Sequence, residues 1–158
     1  MLRVEREGPY GARLITDTSY SAGQVIASLA NYRVVAHPTY HSIQTGPRTH
    51  IDDLAHLAYL NHSCRPNTIV DTSALALLAA HDIAAGEELT FFYPSTEWDM
   101  KHPFVCLCGS PECIGTVAGA KYIPRNVLDR YFVNAHIRQL AGEAPSDGSS
   151  ARCERRSP

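Results

Sequence analysis

The chain has 158 residues, 44% of them hydrophobic and 19% charged, with a formal net charge of -2. That supports one domain with its own core, hardly two, and argues against a disordered chain. The charge balance excludes an overall basic face, so no direct nucleic-acid binding is expected, and the longest apolar run, Ala74 to Ala80, is too short to span a bilayer.

From the start, Leu2-Arg3-Val4, Arg13-Leu14-Ile15, Gln24-Val25-Ile26 and Arg33-Val34-Val35 read as short strands, punctuated by turns at Gly8-Pro9-Tyr10-Gly11 and Ser21-Ala22-Gly23. Residues 37–50, with His37, Pro38, His41, Gly46 and Pro47, have weak periodicity and read as an irregular excursion. Ile51 to Leu60 suits a short helix capped by Asp52 or Asp53. Next comes the polar window Asn61-His62-Ser63-Cys64-Arg65-Pro66-Asn67, a turn by composition, wedged between apolar runs. Its backbone groups need partners inside the fold. Thr68–Asp71 and Ser73–Ile83 read as strands joined by a hairpin turn at Asp71-Thr72-Ser73, and Glu88–Tyr93 as another, ended by Pro94. From Pro124 the spacing of Val127, Leu128, Tyr131, Phe132, Ala135 and Leu140 predicts one long helix, stopped by Gly142. The polar residues 143–158 are expected to be a disordered tail.

Cysteine usage points to a metal. The N-terminus (Arg3, Glu5, Arg6, Glu7) is charged where a signal peptide is apolar, so a soluble intracellular protein is expected, and a disulfide framework is not. Cys106, Cys108 and Cys113 crowd one Gly/Pro loop. Zinc takes four tetrahedral ligands, three of which such a loop can supply. Cys64 or a nearby histidine such as His102 is the candidate for the fourth. Three thiols in a polar loop make a poor apolar core, which weighs against the plainer reading of unbonded buried cysteines. Taken singly, Gly86-Glu87-Glu88-Leu89-Thr90-Phe91-Phe92-Tyr93 is a turn and an aromatic strand, and His62 an interior histidine.

Together, three pieces resemble one family. Asn61-His62-Ser63-Cys64-x-Pro66-Asn67, then Gly86-Glu87-Glu88-Leu89-Thr90-Phe91-x-Tyr93, then Cys106-x-Cys108-Gly109 running to Cys113-x-Gly115, look like a SET-domain protein-lysine methyltransferase with its post-SET zinc motif. The likeness covers residues 3–122, with Gly8-Pro9-Tyr10-Gly11 in the place of the family's Gly-aromatic-Gly loop. It implies a mainly β, β-clip-like fold of short sheets with a threaded pseudoknot, a rare exception to unthreaded chains. The expected layout is a SET domain at 1–105, a post-SET zinc loop at 106–122 and a C-terminal helix at 123–142.

The resemblance further implies S-adenosylmethionine bound by Tyr10, Asn61 and His62, with Phe104 and Leu107 against its adenine. It implies a structural zinc held by Cys64, Cys106, Cys108 and Cys113. Tyr93 is implied as the catalytic phenol and Phe91 as the residue that leaves room for more than one methyl. The acceptor would be a lysine amine of a protein, such as a histone tail. That amine must be neutral to attack, although free lysine titrates near about 10.4, and an apolar channel favours the neutral form. Pro9, Ala58, Phe92 and Thr49 depart from the family pattern and suggest an altered acceptor channel. A SET-type enzyme acting on a small molecule, or a binding module without catalysis, therefore stay as alternatives. Monomer and homodimer are both open, the latter through the apolar face of 124–141, as are cytoplasm and nucleus.

Overall fold

A computed structural model describes residues 1–142; the expected polar tail, with Cys153, lies outside them. Among the described residues the chain forms five small sheets and little helix. Strands β1 (Leu2–Glu5) and β2 (Arg13–Thr16) form an antiparallel pair. Strands β3 (Val25–Ser28), β8 (Thr68–Asp71) and β9 (Ala76–Ala79) make a sheet in the order β3-β9-β8. Along β8, Thr68 and Val70 are buried while Ile69 and Asp71 are less so, the period-two alternation of a strand with one covered face. The hairpin turn expected after Asp71 is present. Asp71 Oδ1 accepts from Ser73 N at 2.9 Å, Ser73 Oγ at 2.6 Å and Ala74 N at 3.0 Å.

Residues 37–50 are more ordered than their sequence suggests. Strands β4 (Arg33–Val35), β5 (Ile43–Gly46) and β6 (Thr49–Asp52) form an antiparallel sheet in the order β4-β6-β5. A register shift between Gln44 and Gly46 breaks the alternation, so adjacent residues Ile43 and Gln44 are both buried. That irregularity hides the strand from a periodicity argument. The expected helix over Ile51–Leu60 is likewise corrected. Ile51 and Asp52 belong to β6, and only Ala55–Tyr59 coils, as a 3-10 turn without a side-chain cap. Asp53 and Ala55 take φ of 63° and 51°, which no continuous helix allows. Of Glu88–Tyr93, only Thr90–Phe91 is strand (β10), paired in parallel with Asn61–His62 (β7). Strands β11 (Phe104–Val105) and β12 (Thr116–Val117) form the last pair.

The long C-terminal helix is two short ones, α1 (Arg125–Leu128) and α2 (Ala135–Leu140). The break has a cause in Asn134, which is 2% exposed. Its amide nitrogen donates to Val70 O and Ser95 O, both at 2.9 Å, and its oxygen accepts from Thr72 N and Thr72 Oγ1, both at 2.9 Å. Four bonds to the β8 end and to Ser95 outweigh the one helical turn lost. Replacing Asn134 by Ala should therefore lower the unfolding free energy by about 3 kcal/mol in urea titration, since buried carbonyls lose their donors. A loss below about 1 kcal/mol would contradict this account.

Among the described residues three apolar clusters carry the fold, the third around Cys64, Cys106 and Val117. Leu14, Ile51, Leu57, Val70, Leu77, Ile83 and Leu89 belong to the largest, beneath the sheets. Leu128, Val133 and Ile137 join Phe92 and Ala120 in the second. Leu128, Val133 and Ile137 of the C-terminal segment thus pack on its own domain, while Phe132 stays 42% exposed. Among the described residues no helix is long and apolar enough to cross a membrane.

Candidate functional site

The polar window 61–67 buries His62, Cys64 and Asn67 while Arg65 stays exposed, and its side chains are what bind it in. Asn61 Nδ2 donates to Ala12 O at 2.7 Å and to Glu88 Oε1 at 2.9 Å, tying the Gly11 loop to β7. Asn67 Nδ2 donates to Glu88 O at 2.8 Å, and its Oδ1 accepts from Thr90 N at 2.9 Å. Tyr131 Oη donates to Cys64 O at 2.8 Å from the C-terminal segment. This accounts for the backbone and amide groups that a buried polar turn must satisfy.

His62 sits at the centre, 2% exposed. Its Nδ1 accepts from Tyr93 N at 3.2 Å, so Nε2 carries the proton toward Cys64 Sγ at 3.3 Å. Burial pushes the imidazole down to about 4, which keeps it neutral. Both ring nitrogens are engaged by protein, and the rings of Tyr93, Phe92 and Phe104 pack around it at 5.4, 5.6 and 6.2 Å. His62 thereby joins the cysteine cluster to the Tyr93 turn.

The sulfurs of Cys64, Cys106, Cys108 and Cys113 all lie within 4.8 Å of one another. Four sulfurs around zinc at about 2.3 Å stand about 3.8 Å apart, and Cys64 and Cys106 are separated by 3.8 Å. Ile114 N donates to Cys64 Sγ and Gly115 N to Cys113 Sγ, each at 3.4 Å, which stabilises thiolate charge. Burial, then the neighbouring Cys106 among other contacts, pushes the Cys64 thiol up, and a dication at the centre would reverse that. The donor set fits zinc with no open position. Between Cys64 and His102, the structure brings Cys64 to the cluster.

Beside this centre lies a cavity of about 770 Å³ that brings together Tyr10, Asn61, His62, Phe91, Tyr93, Phe104 and Leu107. Tyr10 and Phe104 meet edge to face at 5.6 Å, and Leu107 N donates to the Tyr10 hydroxyl at 2.6 Å. Burial pushes that phenol up to about 12. Tyr93 donates from its hydroxyl to Leu60 O at 2.7 Å, with the Phe91 ring 4.7 Å away. Its pKa is also raised, chiefly by burial, so the phenol stays protonated. The other half of the cavity is lined by Tyr40, His41, Ile43, Tyr59 and Glu97.

The sequence departures resolve unequally. Phe92 turns away from the cavity and stacks on Tyr131 at 3.7 Å, anchoring the C-terminal segment. Pro9 and Ala58 line the cavity, and Ala58 O faces His41 Nδ1 at 3.2 Å. Thr49 stands exposed in β6 away from the cavity, while Tyr40 and Tyr59 present rings to it. Sequence reasoning missed Tyr40, Tyr59 and Glu97, which belong to no local motif; a carboxylate between Thr96 and Trp98 reads as surface until the fold closes over it.

A family model of the SET domain matches residues 11–94. A methyltransferase named flvH from Aspergillus flavus is 40% identical over 134 residues, covering 84% of this chain and 75% of its own length. The chain belongs to the SET domain family. Such a domain also occurs within much longer relatives. A histone-lysine N-methyltransferase, H3 lysine-36 specific, from Aspergillus oryzae is 39% identical over 96 residues, and the match covers 57% of this chain but 9% of that enzyme. The fold is shared with KRYPTONITE solved with mCHG DNA and SAH, at a TM-score of 0.59 and 23% identity, covering 73% of this chain and 28% of that one. In this SET domain the family model ends at Pro94, just past the Tyr93 turn, while the cysteine centre and the C-terminal segment lie beyond it.

Proposed function

We propose that this SET domain transfers a methyl group from S-adenosylmethionine to the amine of a protein lysine. The observation that carries the reading is the convergence of Tyr10, Asn61, His62, Phe104 and Tyr93 on a single cavity. Tyr10, Phe104 and Leu107 offer an aromatic and apolar wall suited to an adenine. Asn61 spends its amide protons on Ala12 and Glu88, so it shapes the loop that would border the cofactor. When bound, the cofactor supplies an electrophilic methyl on a sulfonium. Tyr93, protonated and fixed on Leu60 O, aligns the amine; Phe91, carrying no hydroxyl, leaves space for an amine already methylated. The centre of Cys64, Cys106, Cys108 and Cys113 would hold a structural zinc that keeps Phe104 and Leu107 against the cavity. Histone acceptors are supported by the H3 lysine-36 enzymes among the relatives.

A second reading, a small-molecule amine as acceptor, is favoured by one observation: flvH, whose name specifies no protein acceptor, matches far more of both chains. The test begins with calorimetry of S-adenosylmethionine on zinc-loaded protein and on a His62→Ala variant. Binding by the wild type and at least tenfold weaker binding by the variant are expected, because His62 fixes both Cys64 and the Tyr93 turn. A folded wild type that binds no cofactor would overturn the enzyme reading. Transfer of labelled methyl to core histones or to free amines then separates the two acceptors.

A further inference from the structure

One half-buried acid is left over from this account. Glu97 lines the cavity, on the side formed by β5 and the Tyr40 loop. Its backbone is pinned: Glu97 N donates to Tyr93 O at 2.9 Å and Ala120 N to Glu97 O at 2.8 Å. Behind it Gly119, with φ of 110°, lets the 118–121 segment lie directly on Trp98, where a Cβ would meet Trp98 O at 2.4 Å. The carboxylate is equally placed. Gln44 N donates to Oε1 at 2.8 Å and Thr96 Oγ1 at 3.1 Å. Both bonds fall on Oε1, and Oε2 has no protein partner among the described residues.

Among the described residues no ion pair reaches Glu97, although Lys101 lines the same cavity. Among the acids lining the cavity, Asp99 is paired with Lys121 at 2.8 Å and Tyr122 at 3.0 Å, whereas Glu97 has no such neighbour among the described residues. The same cavity is lined by Tyr40, Tyr59 and Tyr93. A carboxylate with phenol rings beside it is the arrangement that receives an alkylammonium, by ion pairing and by cation–π attraction.

Resting on the reading that this cavity takes an amine acceptor, we propose that Glu97 is the specificity-determining residue that docks the acceptor as its ammonium, which then gives its proton to solvent before the neutral amine attacks. Burial pushes the Glu97 carboxyl up to about 7, so its charge is held at a cost that an arriving cation relieves. The shared chemistry is an alkylammonium, whether a lysine side chain on a protein or a free amine.

The test uses protein saturated with S-adenosylhomocysteine and n-butylammonium as probe, followed by NMR shift titration, with n-pentanol as the uncharged counterpart. The wild type is expected to take up n-butylammonium, and Glu97→Gln to bind it at least tenfold more weakly, with pentanol uptake alike in both. Glu97→Gln keeps an oxygen for Gln44 N and Thr96 Oγ1, and Glu97→Asp should lie between, since it keeps the charge. In turnover, the acceptor KM should rise at least tenfold in Glu97→Gln while cofactor affinity stays within twofold. A rise seen with a lysine peptide assigns the docked group to a protein, and one confined to free lysine or butylamine assigns it to a small molecule. Equal ammonium binding by wild type and Glu97→Gln, or none by a cofactor-loaded wild type, overturns the proposal. Failure to bind the cofactor would instead count against the enzyme reading, and the same titration on cofactor-free wild type and Glu97→Gln would then judge Glu97, equal uptake by the two overturning the proposal.

Discussion

Stripping the metal from the four-thiol centre should lower the melting temperature by more than about 10 °C and abolish cofactor binding in the same step. The argument starts from sequence distance. Cys64 stands in the polar window, and Cys106, Cys108 and Cys113 stand in a loop more than forty positions later, with Cys64 and Cys106 sulfurs 3.8 Å apart. Four thiols at this spacing repel one another as thiolates and gain little as thiols. With zinc they become one rigid cross-link that holds Phe104 and Leu107 at the cavity wall. Native mass spectrometry should find one zinc per chain in wild type, none in Cys64→Ser, and an unchanged content in Cys153→Ser. Cys64→Ser should lose cofactor binding as the chelated protein does, because the His62 contact at 3.3 Å goes with the sulfur. A protein that keeps its melting point and its ligand after chelation would sink the idea.

The second large effect belongs to Tyr93. Tyr93→Phe should lower kcat at least about a hundredfold, the scale for losing one polar group aimed at a reaction centre. Cofactor affinity should stay within about threefold, because the ring and its packing on Phe91 at 4.7 Å survive. The hydroxyl is held by Leu60 O at 2.7 Å, so the variant also leaves one carbonyl without its donor, at about 1–2 kcal/mol of stability. Rapid-quench turnover beside thermal melting separates the two costs. A kcat within threefold of wild type would remove Tyr93 from the reaction.

Much of the site was legible because its residues come bundled. Asn61-His62-Ser63-Cys64 and the triple-cysteine loop are each too polar and too dense in special side chains to be ordinary turns, and the structure brings them together. β-rich runs and turn signals made β1, β2 and the β8–β9 hairpin readable as well, although the strand expected over Ser73–Ile83 is only Ala76–Ala79. What escaped did so for physical reasons. A register shift in β5 erased its alternation, and a buried asparagine with four bonds cut a helix whose apolar spacing was intact. Glu97 escaped because nothing local marks a carboxylate as enclosed. Its partners Gln44 and Thr96 arrive from β5 and from the turn after Tyr93.

The reach of Tyr131 has a consequence for how the protein is made. Its hydroxyl closes on Cys64 O at 2.8 Å and its ring lies on Phe92 at 3.7 Å. Synthesis runs from the N-terminus at about 5–20 residues per second, so Tyr93 and His62 leave the ribosome well before the segment that covers them. A nascent chain therefore carries His62 and Tyr93 for seconds with the window from 61 to 67 open on one side. Closure waits on residues near the far end, and a ribosome that stalls short of Tyr131 releases a chain whose window is never shut.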